Sequence, residues 1–204
     1  MHDKILKDYI VIHDNKGKLI NKIQMDRIVV GLGFLNDQTL LIVLSKGVYL
    51  TCNPFTGHTK FMTITPEAEF EKDPIAAVKI FGNNFVYMTK SYNFYLIENV
   101  RAQVKSKIFT PSEQYRVNET ASSFSVLPGR SKEEPIKIFI PAVVGLIKAT
   151  QHPLSQQKEQ MFQNFTKPII LTSVSPNGKN LAVLTQNAEL VRHFVDFLKK
   201  FQKN

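Results

Sequence analysis

One stretch limits the fold more than any other: Val30 to Leu50, VGLGFLNDQTLLIVLSKGVYL. It reads as strand, polar turn, strand, two-residue turn, strand. A first strand runs from Ile28 to Phe34, with Gly31 and Gly33 marking a bend or a close approach. Leu35 to Gln38 is the turn. Thr39 to Ser45 is almost wholly apolar, the pattern of a strand buried on both faces. Lys46-Gly47 makes the next turn, Val48 to Asn53 the third strand, Pro54 to Gly57 another turn, and His58 to Ile64 closes a four-stranded meander.

The stretch recurs. Laid over Asn180 to Leu190, it puts Ser45 on Thr185, 140 positions on. Leu41, Val43, Leu44 and Leu50 then fall on Leu181, Val183, Leu184 and Leu190. The turn pair Lys46-Gly47 falls on Gln186-Asn187, and both Gly and Asn tolerate left-handed backbone. Laid over Asn84 to Phe94, it puts Ser45 on Thr89, an offset of 44, and a looser match near Pro141 has an offset of 96. A unit of roughly 40 to 50 residues is the size of a four-stranded propeller blade. The predicted fold is all-β: a partial WD-like β-propeller of about four blades, each a four-stranded antiparallel meander.

The rest of the chain is read against that unit. Residues 1–204 form a single β-propeller-type region, with units at roughly 5–25 (partial), 28–64, 75–110, 119–148 and 168–201. Tyr9 to His13 and Lys18 to Met25 make a hairpin around Asp14-Asn15-Lys16-Gly17. Thr65 to Pro74 reads as an acidic loop, and Ile75 to Thr110 as the next four strands. Ala149 to Lys167 is polar and Gln-rich, and reads as an insertion or a short helix from Ser155. Ser175-Pro176-Asn177-Gly178-Lys179 resembles the turn between the first two strands of WD-type blades. The tail from Glu189 to Gln202 fits either a last strand or a basic amphipathic helix. Gly17, Gly31, Gly33, Gly47, Asn177 and Gly178 are the positions on which the turns and close approaches depend.

Hydrophobic residues make up 43% of the 204, enough to build a core. No apolar run reaches membrane-span or signal-peptide length, and the one cysteine, Cys52, fits a reducing compartment. The formal net charge is +9, but the lysines are dispersed and suit turns and strand edges. The densest group, Lys199, Lys200 and Lys203, is the candidate contact with an anionic surface. Asn118-Glu119-Thr120 and Asn164-Phe165-Thr166 match glycosylation sequons and are read as chance matches.

Chemistry is sparse. No His or Cys pair has metal-ligand spacing. Cys52 and His58 lie on consecutive strands without a base, an orienting group or an oxyanion site. Gly31-Leu32-Gly33 lacks the third glycine and the helix of a dinucleotide fingerprint. Glu67, Glu69, Glu71 and Asp73 lack EF-hand spacing and read as a solvated loop. Phe81, Phe85, Tyr87, Tyr92, Phe94 and Tyr95 sit beside lysines, as a base-stacking surface would, but their strand positions favour the core. No catalytic residue, cofactor or metal is expected.

Three places resemble the N-terminal domain of the vacuolar protein sorting protein sixteen family. They are DYIVIHDNKGKLINKI (Asp8 to Ile23), IVVGLGFLNDQTLLIVLSKGVYL, and Val174 through Leu190 with its Ser-Pro-Asn-Gly turn. AVKIFGNNFVYMTKSYNF fits the family more loosely. Phe34 stands where that family usually has Trp, and Ser45-Lys46-Gly47 lacks its acidic residue before Gly. The chain carries fewer blades than the family's ring and is read as truncated relative to it. The resemblance implies a cytoplasmic, non-enzymatic scaffold in a class C (HOPS/CORVET-type) tethering complex, peripheral on late endosome and vacuole (lysosome) membranes. Its partners would be other tethering subunits, with peripheral contact to anionic membranes and neither nucleic acid nor a small-molecule substrate. The alternative is a basic β-rich module that binds anionic membrane or RNA.

Overall fold

The computed structural model describes residues 8–64, 68–120, 123–129, 134–143, 145–152, 155–163, 167–175, 177–186 and 190–194. The described chain is a succession of antiparallel meanders. A two-stranded sheet comes first, β1 (Asp8–His13) with β2 (Leu19–Met25). The first blade is β3 (Val29–Asn36), β4 (Thr39–Leu44), β5 (Val48–Cys52) and β6 (Thr59–Thr63), paired in that order. After one turn of helix, α1 (Ala68–Lys72), the second blade holds β7 (Ile75–Phe81), β8 (Asn84–Thr89), β9 (Phe94–Glu98) and β10 (Val104–Phe109). The third is β11 (Ser125–Leu127), β12 (Ile136–Pro141), β13 (Leu146–His152) and β14 (Ser155–Gln163). β15 (Ile169–Val174), β16 (Asn180–Thr185) and β17 (Leu190–Phe194) form a three-stranded sheet. By contacts the chain divides into two compact units, Met1–Lys107 and Ile108–Asn204.

Two expectations change, and the open choice at the tail narrows. In the segment from Ala149 to Lys167, residues 149–152 and 155–163 are strand, the end of β13 and all of β14, so the third sheet starts at Ser125 and runs to Gln163 rather than spanning 119–148. β14 is an edge strand with a single neighbour, and such a strand need not show the apolar run of a central one. The acidic loop holds α1, whose Phe70 is buried. At the tail, Leu190–Phe194 is a strand paired to β16, and residues 195–204 lie outside the described residues.

The all-apolar run in β4 follows from burial on both faces. Leu41 and Val43 point one way, into a cluster with Tyr49, Phe85, Tyr87 and Ile97 that joins the first two blades. Leu40, Ile42 and Leu44 point the other way, against Ile10 and Met25 of the hairpin. Alternation on a strand puts successive side chains on opposite faces, so two covered faces leave no polar position. In the second unit Phe139 and Leu146 pack with Ile169, Leu181 and Val183, joining the third sheet to the next.

Tyr49 holds the first of these cores together. Its ring meets Phe85 edge-on at 5.4 Å. Its hydroxyl donates to the Val100 carbonyl at 2.7 Å. Burial pushes the phenol up to about 12 from its ordinary 10.0, so the unfolded chain loses this proton first. The stability gained from a neutral Tyr49 is therefore intact below pH 10.0 and falls as the pH rises toward about 12. Tyr87 is as deeply buried, yet its hydroxyl has no hydrogen-bond partner among the described residues. The two tyrosines should then respond oppositely to the same change. Tyr49→Phe leaves the Val100 carbonyl unpaired and lowers stability by about 1–3 kcal/mol, whereas Tyr87→Phe is neutral or slightly stabilising. Urea midpoints of the two variants check this, and equal losses in both would contradict it.

Candidate interaction surface

The glycine positions serve two physical purposes. Gly17 (φ 80°) sits in the β1–β2 turn, where Asp14 Oδ1 accepts from the Lys16 and Lys18 amides, each at 2.8 Å. Gly47 (φ 72°) makes the β4–β5 turn, and a Cβ there would run into the Phe70 ring. Asn177 Oδ1 accepts from Ser175 Oγ at 2.7 Å and from the Lys179 amide at 3.0 Å, and Gly178 follows at φ 68° under Leu127. Gly31 and Gly33 instead allow β3 to approach β7: a Cβ on Gly31 would lie 2.6 Å from Val78 Cβ, and one on Gly33 3.1 Å from Ile80 Cδ1. Lys199, Lys200 and Lys203 lie outside the described residues.

The residues whose chemistry could serve catalysis do not come together as a site among the described residues. Cys52 is buried, its thiol bonds the Asn53 carbonyl at 3.3 Å, and burial raises its pKa, the wrong direction for a nucleophile. His58 is exposed. An alkylating reagent should therefore modify Cys52 slowly in the native chain and quickly in urea; equal rates would mean that the thiol is accessible. Glu69 and Glu71 pair with Lys105 (2.8 Å) and Lys46 (3.3 Å). Asp73 accepts from the Ser91 amide at 2.8 Å and from Asn93 Nδ2 at 3.4 Å. Its carboxyl is half-buried, which raises its pKa, but hydrogen bonds from Thr89, Ser91 and Asn93 outweigh that and leave it below the usual value. These carboxylates are occupied by local partners, and no group of three metal-ligating side chains occurs among the described residues. Phe85, Tyr87 and Phe94 are fully buried and Tyr95 stacks on Tyr87 at 5.1 Å, so this aromatic set is core and not a base-stacking platform. Asn118 is likewise no glycan acceptor: its buried Nδ2 donates to the Ile169 carbonyl at 2.7 Å.

What the first unit does present is an apolar row. One face of the first blade carries Leu32 and Phe34 on β3, Leu40, Ile42 and Leu44 on β4, and Leu50 and Cys52 on β5; the β3–β4 register places Leu32 opposite Ile42 and Phe34 opposite Leu40. The hairpin covers the β4 and β5 residues. It leaves Leu32 and Phe34 exposed, at 53% and 59%. Sequence reasoning passed over this row because alternation places residues on a face without saying which neighbour covers it.

The comparisons with known proteins bear on the origin of these meanders. A family model described as "Vps16, N-terminal region" matches residues 2–203. The chain belongs to the Vps16 N-terminal region family. A search of curated protein sequences returns no match. Among solved structures, the chain is similar to the Neurospora crassa Pan2 WD40 domain, at 10% identity and a TM-score of 0.60 over 90% of this chain and 55% of that one. It is also similar to the Myceliophteria thermophila Cps50 (Swd1) β-propeller domain, at 9% identity and a TM-score of 0.59 over 91% of this chain and 60% of that one. A third is Kluyvelomyces marxianus Hsv2, at 15% identity and a TM-score of 0.52 over 93% of this chain and 54% of that one. At these identities the likeness establishes the fold: this Vps16-family chain is all-β and WD40-like, built from propeller blades. It spans little more than half the length of the propellers it matches.

Proposed function

We propose that this Vps16-family chain is a non-enzymatic scaffold in a class C vacuolar protein sorting tethering complex of the HOPS/CORVET type. It would act in vesicle tethering and fusion at late endosome and vacuole (lysosome) membranes, through contacts with other tethering subunits. The observation that carries the reading is the family match over residues 2–203. A further feature supports it: an apolar row stands exposed on a sheet of the first unit. The mechanism is geometric. Blades buried on both faces hold their exposed rows and turns in fixed positions. Binding energy then comes from apolar anchors excluded from water inside a polar rim.

The competing reading is a basic module on anionic membrane or RNA, favoured by the net charge of +9. The two differ in salt dependence. Counterion release makes lysine–phosphate binding fall by orders of magnitude between about 50 and about 200 mM salt, whereas contacts with apolar anchors change little. The experiment is co-purification of tethering subunits with the full chain across that range, beside binding to anionic liposomes and to RNA. Salt-insensitive recovery of the subunits is expected. Salt-sensitive liposome or RNA binding without the subunits would establish the other reading.

A further inference from the structure

A cleft opens at one end of the first blade, where three segments meet. They are the connection into β3 (residues 26–28), the β4–β5 turn (residues 45–47) and α1. The cleft has a volume of about 640 Å³; Asp26, Arg27, Ile28, Ser45, Lys46 and Glu71 line it. Its walls are fixed by bonds within the first unit. The Ser45 amide donates to the Ile28 carbonyl at 3.0 Å, and the Ser45 carbonyl accepts from the Ile75 amide at 2.7 Å. These two bonds tie the connection to the turn and the turn to the start of β7. Phe70 anchors α1 from below: it is buried, and its ring fills the space beside Gly47. Lys46 of the turn pairs with Glu71 of the helix at 3.3 Å. A concave surface held in this way loses little conformational freedom when something binds to it.

Two groups on the cleft wall have no use inside the molecule. Arg27 is exposed and makes no ion pair among the described residues. Ile28 beside it is 66% exposed. A lone exposed apolar residue is ordinary. An apolar residue and a free guanidinium together on one concave, fixed wall make an anchor and a directional donor, the two elements from which interfaces draw most of their binding energy. The four charges of the cleft balance, Asp26 and Glu71 against Arg27 and Lys46. A bare anion therefore meets no net attraction there, and a ligand has to offer geometry and apolar contact besides charge. A carboxylate on a polypeptide offers both: its two oxygens match the guanidinium fork, and a neighbouring apolar side chain covers Ile28. The turns at the other end of this blade close on their own side chains. Asn36 Oδ1 accepts from the Gln38 amide at 2.9 Å, and Asn53 Oδ1 from the Phe55 and Thr56 amides at 2.9 and 3.0 Å.

We propose that this cleft is the docking site for an extended segment of a partner polypeptide, with an acidic side chain paired to Arg27 and an adjacent apolar side chain seated on Ile28. The segment enters at the turn end of the first blade, against α1, and the sheet faces take no part. The site does not depend on the tethering assignment.

The probe is a short fluorescein-labelled peptide of alternating glutamate and leucine, capped at both ends, and the control peptide carries lysine in place of glutamate. Each is titrated with the full chain and followed by anisotropy. The expected result is saturable binding of the glutamate peptide, weakened about tenfold or more by Arg27→Glu and by Ile28→Asp. Asp37→Ala, an exposed position in the turn at the other end of the blade, should leave binding unchanged. The lysine peptide should bind Arg27→Glu better than the native chain, a gain that a misfolded variant would not give; urea midpoints confirm that all three variants fold. No binding of the glutamate peptide, or binding indifferent to Arg27→Glu and Ile28→Asp, overturns the proposal. Equal displacement of the peptide by free acetate also overturns it, because the cleft would then be a simple anion site. So does binding of phosphatidylserine vesicles through Arg27 without binding of the peptide, which would make the cleft a membrane contact.

Discussion

Gly31→Ala lowers the stability of the first unit by about 3 kcal/mol and separates the first two blades. The new Cβ would lie 2.6 Å from Val78 Cβ and 2.8 Å from its Cγ1. Both Cβ atoms are fixed to backbone, so no rotamer change relieves the contact, and one strand has to move away from the other. Overpacking of this kind costs about 1–3 kcal/mol, and lost contacts between the blades add to it. Gly33→Ala is milder, because its closest neighbour is the movable end of Ile80, at 3.1 Å. The check is a double-mutant cycle. Val78→Gly removes the opposing Cβ on β7, so it should recover most of the loss in the Gly31→Ala background while being destabilising alone. Additive losses would mean that the β3–β7 contact is not the cause.

Asn118→Ala has the corresponding effect in the second unit, at about 2–4 kcal/mol. The Asn118 side chain is 7% exposed and makes three bonds. Nδ2 donates to the Ile169 carbonyl at 2.7 Å, and Oδ1 accepts from the Thr120 amide at 3.1 Å and hydroxyl at 2.9 Å. Its backbone amide donates to the Pro141 carbonyl at 2.9 Å, so one residue ties the end of β12 to the start of β15. Removing the amide leaves a carbonyl unpaired at Ile169, which is fully buried. Asn118→Asp is at least as damaging, because a carboxylate oxygen then faces that carbonyl. Thermal melts of the two variants test this. A loss near zero for Asn118→Ala would mean that water takes over the bond.

Much of the architecture was legible because repetition is a stronger signal than propensity. The matches at Leu41, Phe85 and Leu181 fall on β4, β8 and β16, the second strand of each sheet. Those strands are covered on both faces or nearly so, and burial writes an apolar run into any sequence. Edge strands carry no such mark, and for that reason the Gln-rich β14 reads in sequence as an insertion or a short helix. Five-residue α1 is too short for a helical period to emerge. Gly31 and Gly33 announced a close approach but not its partner. The Tyr49–Val100 and Asn118–Ile169 bonds each join residues 51 positions apart, and only the folded chain brings them together. The exposed Leu32–Phe34 row stayed hidden for the same reason, since its meaning lies in what the hairpin fails to cover.

The most direct test of the scaffold reading is quantitative co-purification of tethering subunits with the full chain and with its Leu32→Asp/Phe34→Asp variant, at about 200 mM salt where lysine–phosphate contacts are weak. The expected result is an unchanged urea midpoint and recovery of subunits reduced about tenfold or more in the variant. Equal recovery from both chains would contradict the role assigned to the exposed face, and no recovery from either would contradict the scaffold itself.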